Sequence, residues 1–345
     1  MHASAAAGSP GRRLHAQMRA LGCSGGGSSP AGDEQQQATL GLAYTDSGHE
    51  RHTLDVYHAP PAAALKPIVF YIHGGGWEGG DSSMVGGGGY EGRAGDHTWG
   101  KPGFFVGEGC VFVSTNYRLL RYGNWSGTMD ASIDVRIGTM AEDCAKAMRY
   151  VHDNAAAWGG DGSQIIVMGH SAGAQLAALL CTDARLLQRE GLALGSVVKG
   201  CIPIDGDTYD VPAVIAAGSR HDQKFGELPE QQELSAAVHA KAAAAVQGRE
   251  GQIPPFLALH IYGKPDGSPH PPEDNYCTAH QTRILAAALG EAGVRCEVVG
   301  SANKDHITLD SEIGTETAVL AGARDFGVKS DVLPRYGLWA KELFR

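Results

Sequence analysis

The chain has 345 residues, of which 43% are hydrophobic and 19% charged, a composition ordinary for one or two globular domains. Its net charge of −10, with no basic cluster, argues against nucleic acid as a partner. Apolar runs stay well short of the ~18 residues that a membrane-spanning helix needs. The seven cysteines show no paired spacing, which disfavours a disulfide framework or a zinc site and favours a reducing compartment.

The first segment of the chain, residues 1–37, is dominated by Ala, Ser, Gly and Pro and shows no apolar period. We predict a disordered extension there. Its arginines and its shortage of acidic residues are also typical of an organelle transit peptide, which is the alternative. The remaining residues, 38–345, are predicted to form one domain. The cysteine usage leads us to expect an intracellular, cytoplasmic location, and the transit-like extension makes an organelle the second possibility.

The rest of the chain alternates between apolar strands and helices. Strands separated by helices predict a mainly parallel sheet covered on both faces. Residues 209–244 carry mixed, charged helical segments and are predicted to form a small inserted cap over the sheet. Strands are expected at 42–45, 53–57, 67–72, 110–115, 165–168, 197–204, 256–262 and 295–299, and helices at 139–158, 174–180, 278–292 and 315–326.

One of these strands runs directly into the pattern Gly169-His170-Ser171-Ala172-Gly173, and a helix-forming run follows it. A strand, Gly-x-Ser-x-Gly and a helix together are the context that a nucleophile elbow requires. The tight turn would strain the serine and raise its hydroxyl above the sheet. Ser171 is therefore the candidate nucleophile, at the positive end of a helix.

Three consecutive glycines, in His73-Gly74-Gly75-Gly76-Trp77, leave the end of an earlier strand. Bare backbone N–H groups in such a loop can approach a negatively charged oxygen closely. Together with the elbow, this loop predicts an oxyanion hole formed by the N–H groups of Gly74, Gly75 and Ala172.

These motifs resemble α/β-hydrolase fold esterases. The relevant branch contains hormone-sensitive-lipase-like carboxylesterases, kynurenine formamidases and isoprenylcysteine methylesterases. The resemblance implies an α/β-hydrolase fold with a small cap, a catalytic domain over 38–345, and no metal or organic cofactor. The motifs that carry it, in order, are Leu54-Asp55-Val56-Tyr57, the glycine loop, Asn116-Tyr117-Arg118-Leu119, Trp158-Gly159-Gly160-Asp161 and the elbow.

A serine hydroxyl needs a base, and the base needs an orienting acid. In the family the order is serine, acid, histidine, each after a strand. The resemblance assigns the base to His306, after the last strand, and the acid to Asp266. The segment after Asp266 is an unusual Pro-rich insertion, in which Glu273 or Asp274 could supply the carboxylate instead. One strand earlier lie weaker candidates that could equally be helix caps: Asp205, Asp207 and Asp210.

The expected activity is hydrolysis of a small or medium carboxylic ester through an acyl-enzyme on Ser171. An arylformamidase-type amide hydrolase has the same motifs and stays open as an alternative. A non-catalytic ligand receptor on the hydrolase fold is a third possibility, although such proteins typically lose a member of the triad. The expected partner is a small-molecule ester or amide, and the sequence indicates no particular oligomeric state.

Overall fold

The computed structural model describes residues 37–85, 100–120, 135–219, 221–245, 252–262, 277–301 and 304–313. Asp266, Glu273, Asp274 and the predicted helix 315–326 lie outside these ranges, as does the extension before residue 37. The predicted division at residues 37 and 38 stays a prediction.

Within the described residues, an eight-stranded sheet forms the centre of the fold, with the order β1-β2-β4-β3-β5-β6-β7-β8. The pairs β1–β2 and β2–β4 are antiparallel, and the others are parallel. The predicted mainly parallel sheet is therefore confirmed. The strands are β1 (Gln37–Ala43), β2 (Thr53–His58), β3 (Lys66–Ile72), β4 (Val111–Thr115), β5 (Gly160–His170), β6 (Val198–Ile204), β7 (Phe256–Ile261) and β8 (Cys296–Ser301).

The sheet is buried on both faces, which explains why β3 reads as an almost continuous apolar run. Alternate side chains of this strand enter two separate apolar clusters. Phe70 and Ile72 pack in the larger cluster, and Val69 and Tyr71 in the smaller one on the opposite face. Each of residues 68–72 therefore faces an apolar layer, whichever way it points.

Helices cover both faces. Helix α2 has the predicted amphipathic spacing, since Met140, Cys144, Met148 and Val151 are fully buried. The helices are α1 (Gly100–Gly107), α2 (Ile137–Asn154), α3 (Ala172–Thr182), α4 (Ala184–Arg189), α5 (Leu194–Val197), α6 (Val211–Ala216), α7 (Asp222–Phe225), α8 (Leu228–Glu233), α9 (Ala236–Ala244), α10 (Thr278–Glu291) and α11 (Thr308–Ser311), and a 3₁₀ turn follows α2 at Ala155–Trp158.

The four helices α6 to α9 lie between β6 and β7, where the sequence predicts an inserted cap. They contact the glycine loop: Lys224 Nζ donates to the carbonyl oxygen of Gly76 at 3.2 Å, and the Phe225 ring meets the edge of Trp77. Across the described ranges, no helix is both long and apolar enough to cross a membrane.

Candidate active site

The turn between β5 and α3 holds Ser171 in a backbone conformation that residues other than glycine rarely adopt, with φ 55° and ψ −119°. Such strain persists only where the surroundings impose it. The Ser171 N–H donates to the carbonyl oxygen of Ile204 in β6 at 2.9 Å, and the Ser171 carbonyl accepts from Ala174 in the first turn of α3. The predicted strand-turn-helix elbow is therefore present.

Two glycines make the turn possible because the chain crosses itself closely there. A Cβ on Gly169 would overlap the carbonyl oxygen of Gly173, and a Cβ on Gly173 would overlap the carbonyl oxygen of Ile72 in β3. Any larger residue would push α3 away from the sheet. The pattern of the motif thus follows from the packing of a helix directly over two strands.

The glycine loop after β3 lies against this turn. A Cβ on Gly74 would stand 3.0 Å from His170 Nδ1 and 3.1 Å from the Ser171 Cβ, so the loop backbone passes directly beside the serine. Gly75 has φ +120°, where a Cβ would overlap the backbone of Gly79. The predicted neighbourhood of glycine loop and serine is present, and the role of Gly74, Gly75 and Ala172 as oxyanion donors stays a prediction.

The side chain of His306 reaches the carboxyl end of β6. Its Nδ1 donates to Asp205 Oδ2 at 2.7 Å. The other oxygen of this carboxylate, Oδ1, accepts from the backbone N–H of Ile261 in β7 at 2.9 Å. Asp205 also has a positive φ of 52°, and its side chain is fully buried. The carboxylate is therefore held rigidly between two strands.

The charges of this pair shift both pKa values. Burial lowers the pKa of His306, but the hydrogen bond and negative charge of Asp205 outweigh burial, and the net pKa lies above its ordinary value of 6.5. Burial raises the pKa of Asp205, but the bonds from His306 and Ile261 leave it below its ordinary 3.8. The geometry thus favours an ionised carboxylate that stabilises a charged imidazole.

A second histidine links the serine turn to His306. The Nε2 of His170, which precedes Ser171, lies 2.8 Å from the backbone oxygen of His306, and the two rings are 4.6 Å apart. Because a carbonyl can only accept, Nε2 carries the proton. Burial, the largest influence, lowers the pKa of His170 to about 4, so its ring is neutral near pH 7.

The other histidine of the motifs, His73, is engaged at both ring nitrogens and is not available for proton transfer. Arg51 approaches its Nε2 at 3.1 Å, and its Nδ1 donates to the carbonyl oxygen of Gly74 at 2.7 Å. Burial, with the nearby Arg51 charge, lowers the pKa of His73 to about 3. Tyr117 stacks on the ring and donates to the backbone oxygen of His73. This histidine stabilises the glycine loop.

The structure places Gly74 of the glycine loop beside Ser171, and His306 against His170, the residue before Ser171. It also places Asp205, which the sequence ranked as a weaker candidate, on the His306 ring. The expected acid, Asp266, lies outside the described residues, as do Glu273 and Asp274. Asp210 caps helix α6 by accepting from the N–H of Ala213, and Asp207 lies partly exposed, 3.8 Å from His221.

A sequence signal for Asp205 existed. Asp205 directly follows β6, the strand after the elbow strand, and Gly206 comes next. A Cβ on Gly206 would meet the Tyr209 hydroxyl at 2.6 Å, so the Asp-Gly step marks a tight turn at the end of β6. Parallel neighbouring strands end at the same edge of a sheet, which brings this turn beside Ser171.

Comparison with known proteins agrees with the fold and the motifs. Residues 45–200 match the model of the carboxylesterase family. Esterase B of Lactobacillus rhamnosis (HN001) superposes with a TM-score of 0.59 at 16% sequence identity, covering 96% of this chain and 95% of that one. The chain therefore has the α/β-hydrolase fold, and the predicted resemblance to serine esterases of this fold is confirmed.

Two curated relatives come from Arabidopsis thaliana. A probable isoprenylcysteine alpha-carbonyl methylesterase is 30% identical over 164 residues, 46% of this chain and 32% of that protein. An isoprenylcysteine alpha-carbonyl methylesterase is 23% identical over 291 residues, 79% of this chain and 57% of that protein. The matched part of the chain thus spans less than two thirds of either relative. Asp205 and His306 lie beyond the residues that match the family model.

Proposed function

We propose that the protein is a serine hydrolase that cleaves a small or medium carboxylic ester through an acyl-enzyme on Ser171. One observation supports this proposal: a strained serine lies beside a bare glycine loop, and the residue before it contacts a histidine that is paired with a buried carboxylate. The confirmed resemblance to serine esterases supports the same chemistry.

In the first step, His306 Nε2 accepts the proton of the Ser171 hydroxyl while its oxygen attacks the ester carbonyl carbon. The carbonyl oxygen becomes negatively charged in the tetrahedral intermediate. The backbone N–H groups of Gly74, Gly75 and Ala172 are proposed to donate to that oxygen. Asp205 keeps the Nδ1–H tautomer of His306 in place and stabilises the imidazolium that forms.

In the second step, the intermediate collapses and the bond to the leaving alcohol breaks. His306 gives its proton to the departing oxygen, which leaves the acyl group on Ser171. A water molecule then loses a proton to His306 and attacks the acyl carbon through a second tetrahedral intermediate. The carboxylic acid departs, and the proton returns to the serine oxygen.

A substrate panel combined with site variants tests the proposal. We would compare p-nitrophenyl acetate and butyrate, N-formylkynurenine and a prenylcysteine methyl ester, the last because of the names of the two Arabidopsis relatives. The wild type should prefer an ester. S171A and H306A should lose activity. S163A, at the exposed start of β5, the strand that leads into Ser171, should retain it. A clear preference for the formamide would favour the amide hydrolase instead.

Labelling with a fluorophosphonate separates an enzyme from a ligand receptor. An activated serine reacts with such a probe, and peptide mapping should place the adduct on Ser171. S171A serves as the unlabelled control, and circular dichroism shows that both proteins are folded. A folded wild-type protein that acquires no adduct would favour the non-catalytic alternative.

We further propose an intracellular, reducing location, with the cytoplasm ahead of an organelle. Six cysteines lie in the described ranges, none of them joined in a disulfide with another of the six, and five of them are buried. Reduced thiols of this kind persist where disulfides do not form. Microscopy of the full chain with a C-terminal fluorescent protein tests the location, and a secreted fusion would contradict it.

A further inference from the structure

A buried ion pair lies beneath the proposed base. The Lys101 side chain on α1 is fully buried, and its Nζ donates to Asp310 Oδ2 at 2.6 Å and to the Asp310 backbone oxygen at 3.1 Å. The Tyr71 hydroxyl, from β3, donates to the same carboxylate oxygen at 3.0 Å. Buried charges are tolerated only when they are paired and hydrogen-bonded, so these three side chains form one unit.

This unit, which we call the Lys101–Asp310–Tyr71 anchor, binds the chain segment that carries His306. Asp310 lies four residues after His306, and the turn between them is stiffened by Asp305, whose Oδ1 accepts from the N–H groups of Ile307 and Thr308. Asp310 therefore cannot move far without moving His306. The Asp205 carboxylate, by comparison, contacts only the side chain of His306, at Nδ1.

The anchor also borders the histidine of the elbow. Asp310 Oδ2 lies 3.9 Å from His170 Nδ1, while the Nε2 of the same ring donates to the His306 backbone oxygen. His170 is thus enclosed between the anchor and the His306 backbone, directly before the serine. The strand of Tyr71 continues into the glycine loop. The anchor consequently connects the segments that carry the base, the nucleophile and the proposed oxyanion donors.

We propose that Lys101, Asp310 and Tyr71 are positioning residues that hold the His306 segment against His170 at the distance the base step requires. This inference rests on the proposed function of Ser171 and His306. A misplacement of about 1 Å at a reacting group can cost roughly 100-fold in rate. Loss of the anchor should therefore lower kcat more than it raises KM, because a misplaced base slows the chemical step itself.

The central test is the triple variant Y71F/K101M/D310L, which replaces every polar group of the anchor by an apolar one of similar size. Removing all partners leaves no buried charge unpaired, so the fold should survive. We expect kcat to fall by roughly 10- to 100-fold with KM within about threefold of wild type, and fluorophosphonate labelling of Ser171 to slow in parallel. A folded triple variant with wild-type kcat would overturn the inference.

A second comparison covers the case in which the triple variant does not fold. K101M leaves Asp310 buried without its cation and should lower the melting temperature. M148A removes a fully buried side chain of α2, remote from the anchor, and should lower it as well. Assayed below both melting temperatures, K101M should lose kcat and M148A should keep it. Equal kcat in both variants would show that the anchor only stabilises the fold and does not position His306.

The two proposals fail in different ways. If wild-type protein shows no ester hydrolysis that depends on Ser171, the proposed function is wrong and the anchor has no reaction to support. If wild-type activity is abolished by S171A while the triple variant and K101M retain full kcat, only the positioning role is wrong.

Discussion

His306 Nδ1 lies 2.7 Å from Asp205 Oδ2, although 101 positions separate the two residues in the chain. The bond joins the segment after β8 to the end of β6, the strand immediately beside the elbow strand. The resemblance favours an acid one strand further on, at Asp266. The structure places Asp205 against the His306 ring, and mutation of both aspartates tests which carboxylate acts as the acid.

We predict that D205N lowers kcat by roughly 10³- to 10⁴-fold, whereas D266N changes it little. An amide at position 205 cannot stabilise the imidazolium, and it favours the wrong tautomer of His306. Steady-state kinetics on a p-nitrophenyl ester measures the effect, with melting temperatures to confirm folding. E273Q and D274N complete the set. A large loss in D266N with D205N near wild type would assign the acid to Asp266.

The fold was largely predictable because its signals are local. Fully apolar runs such as 67–72 indicate strands buried on both faces, and Gly-x-Ser-x-Gly indicates the turn that follows β5. The pairing of His306 was less accessible to sequence reasoning. Three aspartates follow β6 within six positions, and their spacing alone does not reveal that Asp205 turns inward, Asp210 caps a helix and Asp207 stays partly exposed.

The anchor beneath His306 illustrates a stronger limit. Lys101 lies in a Gly- and Pro-containing segment, where a lysine ordinarily indicates solvent exposure. Its partner Asp310 lies 209 positions away. No period or motif joins the two residues, and only the packing of α1 and α11 on one face of the sheet brings them together. Contacts of this kind require coordinates.

Activity should rise with pH, with a midpoint above 6.5. Burial lowers the pKa of His306, but the hydrogen bond to Asp205 and the charges of Asp205, Asp207 and Asp310 raise this pKa by more than burial lowers it. The base must be neutral to accept the serine proton, so activity is lost as pH falls through this raised pKa. The profile of kcat/KM against pH measures the midpoint in the free enzyme.

The Asp207 contribution can be removed separately. D207N takes away one negative charge near His306 without touching its hydrogen bond to Asp205. We expect the midpoint of the D207N profile to move to lower pH while the plateau at high pH stays near wild type. A midpoint that moves upward, or does not move, would contradict the assignment of this pH dependence to His306.

Gly173→Ala should destabilise the protein and abolish activity. The new Cβ would overlap the carbonyl oxygen of Ile72, so α3 must shift away from β3 and take Ser171 with it. Forcing extra volume into such a packed site costs about 1–3 kcal/mol. Urea denaturation measures the loss. Gly290→Ala is the matched control: a Cβ there meets nothing within 4 Å, and alanine in a helix should stabilise slightly.

The pair Arg118–Asp143 provides a stability prediction away from the reacting groups. Asp143 on α2 is fully buried and accepts from Arg118 Nη2 at 2.6 Å, from Arg118 Nε at 2.8 Å and from His52 at 3.2 Å. Removing one charge of such a pair leaves the other poorly compensated. We predict that D143N lowers the free energy of unfolding by about 3 kcal/mol.

The neighbouring residue makes the control. Glu142 contacts Arg189 at 3.3 Å on the surface, where an ion pair contributes little, so E142Q should unfold like wild type.

The pH dependence of stability gives a second check on the role of Asp143. Burial raises the pKa of Asp143, but the bonds from His52 and Arg118 leave it below its ordinary 3.8. Its stabilisation is therefore present above about pH 4 and lost as pH falls through the lowered pKa. Denaturation midpoints of D143N and wild type should converge in acid; a constant gap down to that pH would show that the carboxylate charge is not what stabilises the pair.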